Sequence, residues 1–168
     1  VPDFTELGDN PKLVQVGSQT VLEQLPMDLV EQGVVFPDFA SAMDVIPDVI
    51  EKYLGAAVAY DEHKLSAYNT AYFNATAILY VPDHVDIEQP VEALFYQDST
   101  SPVAFNKRVL IIAGKNAKLN YLERFESLGD GNVASSANIV VEIIAQAGSQ
   151  IKFAAIDRLG KHLDTYIA

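Results

Sequence analysis

The feature that most constrains this chain is a repeat of about 32 residues in its second half. Three segments align without a gap: Leu79–Ile87, Ile111–Leu119 and Ile143–Ile151. Each has two apolar residues, a small or apolar one, a three-residue turn, and then a short stretch that ends in a large aliphatic residue. A strand–turn–strand unit at constant spacing predicts that equivalent strands stack beside one another in parallel.

Two strands and two corners in each repeat predict one coil of a flattened, right-handed parallel β-helix. Ordinary antiparallel hairpins, as in a β-sandwich, remain an alternative, although they require no constant spacing. The first third of the chain mixes helix and strand signals instead. We therefore expect a mainly β fold with N-terminal helices. Residues 1–74 would form a mixed α/β segment, and residues 75–168 would form β-helix coils that are incomplete at the C-terminus.

Local signals place three of the helices. Asp38, which follows a proline, is a suitable N-cap for a helix that begins at the next residue. Pro47 fits the first turn of a second helix, and Gly55 fits the position just after its end. A third helix is predicted over residues 61–73. Its apolar residues share one predicted face: Leu65, Tyr68, Tyr72 and Phe73.

Composition and charge exclude several classes of function. The chain has no Cys among its 168 residues, and so it offers neither a thiol nucleophile nor a thiolate metal ligand. Its net charge is -12, which argues against a nucleic-acid partner. The charge is uneven, since residues 1–100 hold 17 acids and three lysines. That half predicts a solvated acidic face or, alternatively, an interaction surface. No apolar run is long enough for a transmembrane helix, so no membrane partner is expected.

Few residues have a pattern that carries chemistry. The segment from Asp83 to Asp86 contains His84 and could offer oxygen and nitrogen ligands to a metal, but a turn explains it better. Gly114–Asn116 lacks the spacing of a phosphate-binding loop. Glu123 and Glu126 would lie on opposite faces of a strand, and Asp61 beside Glu62 has no nucleophile near it. We therefore predict no catalytic, cofactor-binding or metal residue here.

The motifs resemble those of the SufB/SufD family of iron–sulfur cluster assembly proteins. The helical segment Leu65–Phe73 followed by the strand Ile78–Pro82 resembles a helix–strand motif of that family. Three further segments match it in order: Gly33–Asp38, Pro47–Gly55 and Arg108–Ile112. The resemblance covers roughly residues 30–168. The SufD-like branch fits better than the SufB-like branch, because the cysteines expected of the latter are missing.

The resemblance implies a non-catalytic scaffold subunit of a SufBCD-like complex in the cytoplasm, with a SufB-like scaffold and a SufC-like ATPase as partners. The iron–sulfur cluster would be handled transiently by the whole complex, with no cofactor in this segment. It also implies a fragment that lacks the C-terminal part of a longer protein. Alone, the chain is expected to form a homodimer through the strand edge near residues 161–168. A carbohydrate-binding or carbohydrate-active β-helix is the alternative.

Overall fold

The computed structural model describes residues 8–129 and 133–168. Within these residues the strands are β1 Lys12–Val16, β2 Gln19–Gln24, β3 Ala75–Val81, β4 Val91–Asp98, β5 Phe105–Ala113, β6 Lys118–Leu128, β7 Ser135–Ala145, β8 Gln150–Arg158 and β9 Leu163–Ile167. The helices are α1 Met27–Glu31, α2 Phe39–Val45, α3 Pro47–Tyr53 and α4 Lys64–Tyr72. No helix in the described part of the chain has the length and hydropathy needed to cross a bilayer.

The strands form two sheets, and from β3 onward successive strands alternate between them. The four-stranded sheet has the order β3-β5-β7-β9 and is parallel throughout. The five-stranded sheet has the order β2-β1-β4-β6-β8. It is mixed, because β2 runs antiparallel to β1 while the other neighbours are parallel.

The constant spacing of the sequence repeat is confirmed as the register between paired strands. Leu79 pairs with Ile111, and Ile111 pairs with Ile143, so that each pairing joins equivalent positions of successive repeats. Leu119 pairs with Ile151 at the same spacing in the other sheet. The turns between the strands also stack, since the backbone N–H of Gly114 donates to Val81 and that of Gln146 to Ala113.

The predicted fold class, a mainly β parallel β-helix with N-terminal helices, is wrong. The chain has a mixed α/β fold of two sheets, one mixed and one parallel. The described residues begin with the hairpin of β1 and β2, and the four helices follow between Met27 and Tyr72. The error arose because the repeat covers only the second half of the chain, whereas the first half adds an antiparallel pair and helices of its own. The division into residues 1–74 and 75–168 stays a prediction.

Two apolar cores hold these layers together. The larger one lies between the sheets and includes Leu13, Ile111 and Phe125, each fully buried. The smaller one lies on the other face of the four-stranded sheet, where Ile50 of α3 packs with Ile78 and Leu110. Strand β5 is buried along its whole length because both of its faces are covered.

The predicted starts of α2 and α3 are confirmed, whereas α4 begins at Lys64, three residues after its predicted start, and its apolar stripe does not form the buried face. Asp38 caps α2, where its Oδ1 accepts the N–H of Ser41 at 2.9 Å, and Pro47 opens α3. In α4 the buried residues are the polar Ser66 and Asn69, while Tyr68 and Tyr72 are exposed. The sheet beneath α4 offers the backbone carbonyls of Lys107 and Asn138 and the guanidinium of Arg108, so the polar Asn69 docks there instead of the apolar stripe.

Candidate functional site

Two consecutive basic residues of β5, Lys107 and Arg108, form buried ion pairs on opposite faces of the strand. Lys107 points between the two sheets, and Arg108 points toward α4. Both side chains are almost completely removed from solvent. Alternation along a strand explains the geometry, because neighbouring side chains leave opposite faces.

Lys107 pairs with Glu123 inside the core between the sheets. Its Nζ lies 2.5 Å from Glu123 Oε1 and about 5 Å from the ring centroids of Phe95 (4.8 Å) and Phe125 (5.2 Å). The hydroxyl of Tyr121 lies 3.5 Å from the second oxygen of Glu123. Burial, reinforced by the Glu123 carboxylate, raises the pKa of Tyr121 well above its usual value. Tyr121 therefore stays protonated and can donate to the carboxylate.

Glu142 is the acceptor on the opposite face of the four-stranded sheet. Its Oε1 accepts from Arg108 Nε at 3.0 Å and Nη2 at 2.5 Å, and from the N–H of Gly55 at 3.1 Å. Its Oε2 accepts the N–H groups of Ala57 and Val58, both at 3.1 Å. The carboxylate is thus fully used, and it fixes the loop after α3 against the sheet.

Arg108 completes the same cluster with its remaining donors. Its Nη1 donates to Thr70 Oγ1 at 2.8 Å and to Asn69 Oδ1 at 3.3 Å, and its Nη2 donates to the carbonyl of Val58 at 3.1 Å. Asn69 in turn donates to the carbonyls of Lys107 and Asn138, each at 3.0 Å. This network joins α4, the loop before it and the sheet without exposing any charge.

A groove opens at the far end of the core between the sheets, beside β8 and β9. It encloses about 300 Å³ and is lined mainly by aliphatic and aromatic side chains. Ile143 of β7, Phe153 of β8 and Ile167 of β9 are partly exposed there. Two carboxylates also line it: Glu123, which forms its ion pair with Lys107, and Asp157. We call this feature the β8–β9 groove.

The residues that sequence analysis weighed for a metal site lie in a turn and meet protein neighbours. Asp83 Oδ1 accepts the N–H of Lys115 at 2.7 Å, and Asp86 Oδ2 pairs with Lys118 Nζ at 2.8 Å. His84 has a positive φ of 64° and lies 3.5 Å from the side-chain amide of Asn116. Among residues 8–129 and 133–168, no three His, Cys, Asp or Glu side chains come together as a metal site would require.

Gly114, weighed as part of a phosphate loop, has a packing role in the structure. A Cβ at this position would lie 2.6 Å from the backbone N of Asp83 and 2.7 Å from the carbonyl carbon of Pro82. The absence of a side chain therefore allows two stacked turns to approach each other closely. Glu123 and Glu126 are separated as predicted, since Glu123 is buried while Glu126 lies 3.8 Å from the exposed Arg158.

Sequence analysis missed both buried ion pairs. The available signal was a pair of adjacent bases in a mostly apolar strand, Phe105–Ala113, and a single acid inside the apolar run Ile139–Ala145. Charges within such runs are buried only when they are paired. The partners could not be assigned from the sequence because they lie on other strands.

Comparison with known proteins connects this geometry to a family. Residues 10–93 match the family model described as SufBD protein N-terminal region. Residues 95–166 match the one described as SUF system FeS cluster assembly, SufBD core domain. The chain belongs to the SufBD family. Both ion pairs of β5 therefore lie within the SufBD core domain, while the loop fixed by Glu142 lies within the SufBD N-terminal region.

Curated relatives agree with the assignment to the SufBD family. The iron–sulfur cluster assembly protein SufD of Bacillus subtilis is 35% identical over 144 residues, which are 85% of this chain and 32% of the relative. A SufBD family protein of Staphylococcus haemolyticus is 29% identical over 142 residues, or 84% of this chain and 30% of the relative. The chain thus spans about a third of the length of the curated relatives it matches.

Proposed function

We propose that this chain is part of a non-catalytic scaffold subunit of a SufBCD-like complex that assembles iron–sulfur clusters. Its partners would be a SufB-like scaffold and a SufC-like ATPase, and its location would be the cytoplasm. The observation that carries the proposal is the match of residues 95–166 to the SufBD core domain of the SUF system. The relative named SufD, 35% identical, supports the SufD-like branch.

The composition of the chain agrees with a supporting role in this chemistry. Iron–sulfur clusters are held in proteins chiefly by cysteine thiolates, and this sequence has no Cys. In the proposal the cluster is the cargo of the complex, and its ligands come from elsewhere. In the proposal ATP hydrolysis likewise belongs to the partner ATPase, and the segment Gly114–Asn116 of this chain lacks the spacing of a phosphate-binding loop.

The cores and ion pairs suit a rigid platform. Strand β5 is buried on both faces and fixed by a salt bridge on each, through Lys107 and Arg108. The second of these, with Glu142, also holds the helical layer in place. A scaffold of this kind contributes by presenting a constant surface to its partners.

Co-purification tests the proposal. The whole protein that contains this sequence would be co-expressed with the SufB-like and SufC-like proteins of the same organism. We expect a complex of the three in which removal of the SufC-like component removes all ATP hydrolysis. Failure to associate, under conditions in which SufD of Bacillus subtilis joins its own complex, would contradict the proposal. ATP hydrolysis by the protein alone would contradict it as well.

The carbohydrate alternative receives no support from the comparisons. That function needs a row of aromatic side chains on an accessible face. Tyr121 is instead buried, and its ring stacks on that of Phe153 at 5.6 Å inside the space between the sheets. Tyr80 is half-buried, and its backbone bridges to Val35.

A further inference from the structure

The start of α4 is capped by a side chain that can change its charge. Nδ1 of His63 accepts the backbone N–H of Leu65 at 3.2 Å, and His63 has the extended backbone of an N-cap residue, with φ -154° and ψ 151°. A ring nitrogen that accepts a hydrogen bond carries no proton, so the single proton of this ring lies on Nε2. The cap therefore exists only while His63 is neutral.

The first turn of α4 makes this cap sensitive to charge. Residues 64–67 contain no acidic side chain that could take over from His63, and the first position of the helix is Lys64. A protonated His63 would lose its acceptor nitrogen and would place a second cation beside Lys64, where the helix dipole disfavours positive charge. Protonation thus removes the cap and adds an unfavourable charge at the same helix end.

Tyr166 of β9 holds the ring of His63 from the other side. The two rings are stacked, with centroids 5.7 Å apart and planes that differ by 15°. A protonated ring is still attracted to the π face of tyrosine, so this contact survives when the cap does not. The change on protonation is therefore directed at α4 and not at β9.

The charged surroundings of His63 are weak or already neutralised. Among residues 8–129 and 133–168, no carboxylate forms an ion pair with its ring. The carboxylates and cations near it in the chain or on the elements packed against it are Asp61, Glu62, Lys64, Asp164 of β9 and the Arg108–Glu142 pair beneath α4. The first four are exposed and screened by solvent, and the pair has no net charge. The cap and the Tyr166 ring are thus the contacts that respond most directly to the charge of His63.

We propose that His63 is a pH-sensitive latch on α4: the neutral imidazole closes the first turn of the helix, and protonation opens it. Histidine ordinarily changes its charge between about pH 5 and pH 8. Because the acceptor nitrogen is available only in the deprotonated ring, the cap is present at the upper end of this range. It is lost as the pH falls through the range.

The opening is limited to the first turn. Asn69 donates to the carbonyls of Lys107 and Asn138, and Thr70 Oγ1 accepts from Arg108. These contacts involve amides, a hydroxyl and a guanidinium, none of which titrates in the range where histidine does. They keep the rest of α4 on the sheet, so acid loosens one end of the helical layer and leaves the fold intact.

Amide hydrogen exchange of the 168-residue chain, followed by NMR, tests the latch. The N–H of Ala67 donates to the carbonyl of His63 and closes the first turn. Its protection factor, which corrects the exchange rate for the direct effect of pH, should be about fivefold higher near pH 7.5 than near pH 5. The protection factor of Tyr72, at the other end of α4, should change by less than about twofold.

Three variants show whether His63 is responsible. His63→Asn keeps an uncharged acceptor at the N-cap, so the protection factor of Ala67 should stay high at both pH values. His63→Ala removes the acceptor, and the protection factor should be low at both. His84→Asn is the matched control, because it makes the same change in a turn whose positive φ of 64° asparagine tolerates. It should keep the fivefold response.

An Ala67 protection factor that is the same at both pH values in the unmodified chain would overturn the inference. An unchanged pH response in His63→Asn would overturn it as well, since another group would then control the first turn. Full protection in His63→Ala would show that the cap contributes nothing. The inference concerns residues 63–67 and does not rest on family membership, so its failure would leave the proposed complex with SufB-like and SufC-like proteins untouched.

Discussion

Lys107 and Arg108 are adjacent in sequence, yet the carboxylates that neutralise them lie on opposite faces of the same sheet. Glu123 comes from the facing sheet, whereas Glu142 comes from the neighbouring strand β7 and reaches the loop before α4. Through these two residues β5 joins all three layers of the molecule. Substitutions at these positions should therefore show how far stability depends on buried charge.

Removal of the Arg108 side chain should be strongly destabilising. Arg108→Met leaves Glu142 buried without its cation, and we expect a loss of about 3–5 kcal/mol in the free energy of unfolding. Arg124→Met is the matched control, since Arg124 is exposed, and its effect should stay within about 0.5 kcal/mol. Urea denaturation followed by circular dichroism measures both. If both substitutions changed the free energy of unfolding by similarly small amounts, the Arg108–Glu142 pair would add nothing to stability.

The Lys107–Glu123 pair should show strong coupling between its two members. Lys107→Met and Glu123→Leu should each cost about 3 kcal/mol or more, because each leaves one charge buried and alone. The double variant should be close to the unmodified chain in stability, since an apolar pair of similar volume suits this core. A double-mutant cycle by chemical denaturation gives the coupling energy. Additive losses would argue against the direct pairing seen in the structure.

The register of β6 is tested by two neighbouring residues. Leu119 is buried and pairs with Ile151, so Leu119→Asp should cost roughly 3 kcal/mol or more by burying an unpaired charge. Lys118→Ala removes only a half-exposed salt bridge to Asp86 and should leave the denaturation midpoint nearly unchanged. If the chain tolerated both changes equally, the two side chains could not lie on opposite faces of the strand.

Asp38 should give α2 a stability that is lost in acid. Partial burial acts to raise the pKa of Asp38, but hydrogen bonds from Ser41, Thr20 and Ala40 outweigh it, and the net pKa lies below its ordinary value of 3.8. The unfolded chain therefore binds this proton more readily than the folded one. The contribution is present above about pH 4 and disappears as the pH falls through the folded-state pKa.

Asp38→Asn separates this titration from the cap itself. Asparagine still accepts the N–H of Ser41 but carries no titrating charge. Denaturation midpoints between pH 2 and pH 6 should therefore decline less steeply toward acid in Asp38→Asn than in the unmodified chain. Asp44→Asn, at an exposed site in the same helix, should keep the original slope. An unchanged slope in Asp38→Asn would show that another group controls the acid response.

Sequence analysis succeeded where the information is local or periodic. The pairings of Leu79 with Ile111 and of Leu119 with Ile151 follow from the constant spacing. The starts of α2 and α3 follow from Asp38 and Pro47, whose chemistry acts within one helical turn.

It failed where distant parts of the chain decide the outcome. Nothing near β1 indicates that this strand would lie parallel to β4, with Lys12 opposite Glu92 in the register. Because β1 also pairs antiparallel with β2, the five-stranded sheet is mixed. The apolar stripe of α4 does not face the core, although apolar stripes of helices usually do. Asn69 faces inward instead, because the sheet beneath it presents the carbonyls of Lys107 and Asn138. The β8–β9 groove likewise depends on which strands lie at the ends of the sheets.

The spacing between strands also limits how proteins of this kind can change in length. Asp86 still bridges to Lys118 at the full spacing of the repeat, but Val91 pairs with Tyr121, two positions short of that spacing. The chain between Asp86 and Val91 is thus longer by two positions than the corresponding stretch of the next strand. Because two is an even number, Val91 and Phe95 still face the core. A single inserted residue would turn them outward, so we expect insertions and deletions within these strands to occur in pairs.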